Sequence, residues 1–213
     1  MKTDDLIGLL AQGAGAVEPN AVARRYGTAL GWGAFGATLL MAIVLDVRPD
    51  LREAVLLPMF WVKLAFPASL LVVAIAIAAR LARPGTRLGR LPIVLAAPLA
   101  AVWLMASVEV AVAAPAARAQ LFFGSSWREC PFNIAMLSVP AFIAVFWAMR
   151  KLAPTRLVRA GAASGLISGA LGASIYALHC TEMAATFLGI WYVVGMLIPA
   201  ALGALLGPRL LRW

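Results

Sequence analysis

Leu70-Leu71-Val72-Val73-Ala74-Ile75-Ala76-Ile77 holds no polar side chain and no alternation of polar with apolar. A membrane-barrel strand alternates over about 10 positions, and a soluble amphipathic helix keeps one polar face. A run that is apolar on every side reads instead as a helix in lipid. Outward from it, the same character extends over residues 58–79, and about 20 such residues cross the hydrocarbon core as a helix. Five further stretches read alike: 26–45, 91–113, 132–149, 160–178 and 186–206. The fold class is therefore all-α, a polytopic membrane protein built as a bundle of six transmembrane helices. Residues 26–207 form the transmembrane domain, 1–25 an N-terminal segment and 208–213 a short tail.

Composition agrees. Of 213 residues, 63% are apolar and 13% charged, against about 45–50% and about 25% in soluble domains. The net charge of +9 does not point to nucleic acid, because no stretch is hydrophilic enough to form a continuous basic face. Its distribution reports orientation. With the N-terminus cytoplasmic, the inner segments carry Lys2, Arg24 and Arg25, then Arg80, Arg83, Arg87 and Arg90, then Arg150, Lys151, Arg156 and Arg159, and finally Arg209 and Arg212. The outer loops carry Arg48, Arg52, Arg118 and Arg128. The bias follows the positive-inside rule and sets both termini in the cytoplasm. The span 26–45 is too long for the apolar region of an export signal and lacks a small-x-small cleavage site after Leu45, so it is a retained helix.

Two ionisable residues fall inside the spans, Lys63 and Glu109. Such groups are costly in hydrocarbon. Both lie about 6 to 8 Å below the outer boundary at about 1.5 Å per residue, which makes an intramembrane ion pair the expectation. The plainer alternative is that each reaches the headgroups alone. Phe187, Trp191 and Tyr192 read as an aromatic belt at the outer interface. Gly161, Gly165 and Gly169, with Gly203 and Gly207, form ridges where helices approach closely.

The two cysteines face the outer side. Cys130 closes Trp127-Arg128-Glu129-Cys130-Pro131, and Cys180 lies in His179-Cys180-Thr181-Glu182. In an oxidising periplasm they admit several readings: a structural disulfide, two small buried thiols, or a switch. His179, Glu182 and Glu129 lie near in sequence, so Cys130, Cys180 and His179 are also a candidate ligand set for a thiophilic metal. The motif lacks paired ligand spacing. The N-terminus opens on Thr3-Asp4-Asp5, a helix-capping threonine with acids at the positive end of the dipole. Leu6, Ile7, Leu9 and Leu10 follow as a short apolar face. About ten residues are too few for a stable isolated helix, so this one either frays or folds onto a partner.

Lys2-Thr3-Asp4-Asp5-Leu6-Ile7, Arg48-Pro49-Asp50-Leu51, the stretch Pro58-Met59-Phe60-Trp61-Val62-Lys63-Leu64-Ala65-Phe66-Pro67, Trp127-Arg128-Glu129-Cys130-Pro131, Tyr176-Ala177-Leu178-His179-Cys180-Thr181-Glu182-Met183 and the terminal Gly207-Pro208-Arg209-Leu210-Leu211-Arg212-Trp213 together resemble the NrsF-type negative regulators of sigma F. The likeness covers nearly the whole chain, and the two cysteine motifs are its most specific part. The resemblance implies a non-enzymatic anti-sigma factor of the bacterial inner membrane. Such a protein holds an extracytoplasmic-function sigma factor and releases it under oxidative or heavy-metal stress, using cysteines at the positions of Cys130 and Cys180. It implies a sigma factor and membrane lipid as partners, no direct nucleic-acid contact, and no resident cofactor beyond a transient heavy-metal ion at the cysteines. The best-placed docking element is Asp4, Asp5, Leu6, Ile7, Leu9 and Leu10, whose acids suit a basic sigma surface. Two rival classes fit less well. A membrane thiol oxidoreductase uses a close Cys-x-x-Cys pair, absent here, and a small metal transporter needs a span broken near mid-membrane.

Overall fold

The computed structural model describes residues 3, 5, 7–8, 21–83 and 85–212. Every regular element among them is helical, in the order α1 (Ala21–Val44), α2 (Leu51–Ala54), α3 (Pro58–Leu81), α4 (Leu91–Val112), α5 (Pro115–Phe123), α6 (Cys130–Arg150), α7 (Leu157–Tyr176) and α8 (Ala185–Leu210). Six are long, at the places the apolar stretches predict. Five of these, α1, α3, α4, α6 and α8, are long and apolar enough to cross a membrane. The sixth, α7, is rich in glycine and serine and falls outside that set.

Its composition fits its place. α7 is the central helix, packed against α8, α6, α3 and α1, and thirteen of its residues are buried. Small side chains let the neighbouring backbones come close, the usual basis of helix association where water supplies no hydrophobic drive. A Cβ on Gly161 would collide with the Gly203 carbonyl, and one on Gly165 with the Pro199 carbonyl. On α6, Ala141 takes the space in front of Gly33 of α1, and Ser138 that in front of Gly172 of α7. Internal prolines at 67, 98, 140 and 199 are carried within the long helices, as membrane helices commonly tolerate.

α4 is the exception to this packing. Only Val102 of its 22 residues is buried, and it leans on α3 and on the first turns of α8. Those first turns include a π-helical stretch, Leu188–Tyr192. The aromatic-belt expectation fails in part here: Phe187 and Tyr192 are wholly buried and belong to the core, packed with Cys130, Ile134, Tyr176 and Cys180. Trp191 alone stays at the rim, where its Nε1–H donates to the Phe122 carbonyl at 2.7 Å and holds α5 against α8. Helices α2 and α5 lie in loops between the long helices that hydropathy alone does not mark as structured.

Candidate functional site

The C-terminal end of α7 leaves carbonyl groups without intrahelical donors, as every helix end does. Here the N–H groups of Ala177, Leu178, His179 and Cys180 turn back onto the carbonyls of Ala173, Ile175 and Tyr176, and the chain continues into a loop in which Ala177 and Cys180 are buried and Leu178 and His179 half-buried. The carbonyls of that loop take donors from other elements. The Arg48 N–H donates to the Leu178 carbonyl at 3.1 Å, and Arg48 Nη1 donates to the Cys180 carbonyl at 3.2 Å. Lys63 Nζ of α3 donates to the same Cys180 oxygen at 2.6 Å and to the Glu182 carbonyl at 2.7 Å. Two cations thus converge on the carbonyls of the loop that follows α7, as charge-assisted donors to otherwise unpaired acceptors.

Lys63 is 0% exposed, and it does not pair with Glu109. The expected intramembrane ion pair is therefore corrected. Glu109 sits on the peripheral α4, and its Oε2 accepts from the Thr186 N–H at 3.0 Å and the Thr186 hydroxyl at 2.9 Å. It satisfies an N–H at the start of α8, where a negative charge is favoured. Lys63 is spent on loop carbonyls and Glu109 on the start of α8, and neither on the other.

Three further contacts fasten the 178–182 loop. His179 Nδ1 lies 2.8 Å from the Asp46 carbonyl; a carbonyl only accepts, so Nδ1 carries the proton in this contact. Asp46 reaches that position with φ of 61°, a left-handed conformation that aspartate tolerates better than most residues. The Glu182 carboxylate accepts from the Ser125 N–H at 2.7 Å and the Ser125 hydroxyl at 2.6 Å. Arg48 is itself oriented by a two-pronged pair with Asp50, Nε to Oδ1 at 2.8 Å and Nη2 to Oδ2 at 2.7 Å. That hydrogen-bonded contact holds the Asp50 carboxyl below the usual carboxylate range and raises Arg48 further.

Both cysteines are free thiols and both are buried, Cys130 at 0% and Cys180 at 3% exposure. They share one core cluster with Tyr176 and Tyr192. Tyr176 is the polar neighbour of Cys130, and Cys180 that of Tyr192, whose hydroxyl is buried without a hydrogen bond. A cleft of about 260 Å³ reaches Cys180 from outside, lined also by Arg48, Ser126, Glu129, Tyr176 and His179.

The metal-ligand set expected from the sequence does not assemble. Among the described residues no three His, Cys, Asp or Glu side chains converge on a common point. Glu182 is directed to Ser125, the His179 Nδ1–H to Asp46, and Glu129 is exposed at the rim. Of the expected docking residues, Asp4, Leu6, Leu9 and Leu10 lie outside the described residues, while Asp5 and Ile7 are helical and exposed. The sequence marks Arg48 as an outer-loop charge and motif residue, Tyr192 as a belt aromatic and Tyr176 as a motif residue, and none of the three as a partner of the cysteine loop. The Arg48-Pro49-Asp50 spacing was the available signal, since a carboxylate two residues on presets a guanidinium.

Membrane-length helices, two buried thiols and a loop held by Lys63 and Arg48 define, among the described residues, a helical protein with candidate membrane spans. The sequence comparisons specify it. The family described as NrsF, negative regulator of sigma F, matches residues 10–213, and the chain belongs to that family. It is 53% identical to the "Probable anti-sigma-F factor NrsF" of Azospira oryzae over 213 residues, covering 100% of both chains. It is 40% identical over 215 residues, again covering 100% of both, to the "Anti-sigma-F factor NrsF" of Caulobacter vibrioides. No solved structure matches the chain.

Proposed function

We propose that the protein is a six-span anti-sigma factor of the bacterial inner membrane, which holds an extracytoplasmic-function sigma factor and releases it when oxidants or heavy metals reach Cys130 and Cys180. The observation that carries this reading is the attachment of Cys180 to α7. The thiol sits four residues beyond the end of the central helix, and its own carbonyl is held by Lys63 and Arg48. Oxidation of the two thiols to a disulfide transfers two electrons to a thiol–disulfide oxidant and releases two protons. Either that bond or a metal on the thiols changes the loop that terminates α7. The helix packs on four others, so a shift at its outer end reaches its inner end at Leu157, which touches Gly207 of α8.

The lysine and arginine asymmetry supports cytoplasmic termini and makes α7 the sixth span, shielded by the other helices. The N-terminal residues Asp4, Asp5, Leu6, Ile7, Leu9 and Leu10 form the proposed sigma-docking element. For release to follow, the stressed packing must disfavour sigma relative to the resting one. A ligand indifferent to both shifts nothing, whereas a bridge contributes typically about 2–4 kcal/mol. The test is sigma-dependent transcription in cells carrying Cys130→Ser with Cys180→Ser. We expect repression without induction by an oxidant or cadmium. Full induction in that variant would sink the reading. Co-purification with and without the first 18 residues then tests docking: loss of sigma on truncation is expected, and undiminished binding would refute the N-terminal assignment.

A further inference from the structure

A second recess lies away from the cysteines, between α4, α5 and the π-helical turn of α8. It encloses about 480 Å³, within the range of about 300–1,000 Å³ typical of small-molecule sites, and is lined by Trp103, Ser107, Val110, Arg118, Phe122 and Ile190 among others. π turns inside α-helices recur at functional sites. The wall is almost wholly apolar, and its few polar groups are already engaged. Trp103 Nε1–H donates to the Gly189 carbonyl at 3.0 Å, the Ser107 hydroxyl to the Leu104 carbonyl at 2.7 Å, and the Thr186 hydroxyl to Glu109.

Arg118 is the exception. Only its Nε is used, weakly, toward the Ala113 carbonyl at 3.3 Å. Its two Nη groups have no hydrogen bond or carboxylate partner among the described residues, in contrast to Arg48. A polar metabolite would find nothing to bond along such a wall, whereas a hydrocarbon chain with an anion at one end matches both parts. A planar guanidinium is the side chain suited to two-pronged phosphate contact. The groove also borders the lipid-facing side of α4, where Trp103, Leu104 and Val108 are exposed.

We propose that this groove binds one acyl chain of an anionic phospholipid of the surrounding bilayer, with the lipid phosphate held by Arg118. Phosphatidylglycerol is the probe, because its net negative charge distinguishes it from zwitterionic phosphatidylethanolamine. The site goes beyond the anti-sigma reading and does not depend on the thiols.

The experiment is native mass spectrometry of the delipidated full chain in detergent, titrated with each lipid in turn. The wild type is expected to retain one phosphatidylglycerol in preference to phosphatidylethanolamine. Arg118→Gln should weaken phosphatidylglycerol retention about tenfold, the loss of one strong charge-assisted contact, and abolish the preference. Ala106→Trp, which fills the groove, should reduce retention of both lipids. Because Arg118 is exposed, the Gln variant should keep the wild-type melting midpoint, so its lipid loss cannot be ascribed to unfolding. Equal retention of the two lipids by the wild type, or wild-type phosphatidylglycerol retention in both variants, would overturn the proposal.

Discussion

The Lys63 ammonium donates to the carbonyl oxygen of Cys180, at 2.6 Å, from a position no solvent reaches. A buried lysine without a carboxylate is costly unless its protons are placed on good acceptors. Here two of the three go to carbonyls of one loop, and the ammonium lies 5.7 Å from the Tyr192 ring. The loop bearing Cys180 is thus fixed to α3 through a single side chain.

Lys63→Met should loosen that loop. Two charge-assisted hydrogen bonds, at about 1.5–3 kcal/mol each, are lost against a partial gain from no longer burying a charge, for a net destabilisation of about 2 kcal/mol. Cys180 should then react with a thiol reagent many times faster than in the wild type, while both thiols of the wild type react slowly. An unchanged alkylation rate would show that Lys63 does not restrain the loop.

Acid should act on the same loop through Asp50. Its carboxyl is held below the usual range by Arg48, so the folded state favours the ionised form. The stabilisation is complete above the pH at which an unfolded aspartate titrates, and is lost as pH falls through the depressed folded value. The melting midpoint should therefore hold down to about pH 4 and decline below it through this contact. Asp50→Asn should lower the midpoint at neutral pH and flatten the acid decline, with both curves measured by thermal unfolding in detergent.

Gly124 has φ 53° and ψ −154°, a region open essentially to glycine alone, and a Cβ there would lie 2.6 Å from the Glu182 carboxyl carbon. Gly124→Ala should cost about 1–3 kcal/mol and break the Ser125 contact with Glu182. Hydrogen exchange at the Ser125 amide should accelerate, and a protected amide in this variant would contradict the assignment.

Packing predicts opposite outcomes for two glycines. Gly165→Ala drives a methyl into the Pro199 backbone, and overpacking of this kind costs about 1–3 kcal/mol. Gly27→Ala meets nothing within 4 Å and should be neutral or stabilising by about 0.5–1 kcal/mol through helix propensity. Thermal unfolding of the two variants side by side separates the effects.

Some of this was legible in the chain alone. The long helices, the glycine ridge of α7 and the clustering of Cys130 with Cys180 follow from local composition and from which end of a span each residue occupies. Lys63 and Glu109 stand out in the sequence as charges within apolar stretches, but the partners they take, the Cys180 and Glu182 carbonyls and Thr186, do not. The sequence offers an expected depth along the membrane normal but not the azimuth around each helix, and two charges at one depth meet only if both face the same way. Phe187 and Tyr192 were misplaced for the same reason, because residues at the outer end of a helix face lipid or core according to rotation.

The sequence by itself determined that this is a helical chain with membrane-length apolar stretches, and where its thiols and charges lie along it. Transfer free energy depends on the residues in a segment and little on their neighbours in space. The tertiary structure alone decided that α7 is central, that Lys63 and the Asp50-paired Arg48 hold carbonyls of the loop that follows it, and that Glu109 serves the start of α8. Those choices depend on which unsatisfied backbone groups come within about 3 Å of a charge, a condition set only when the helices pack.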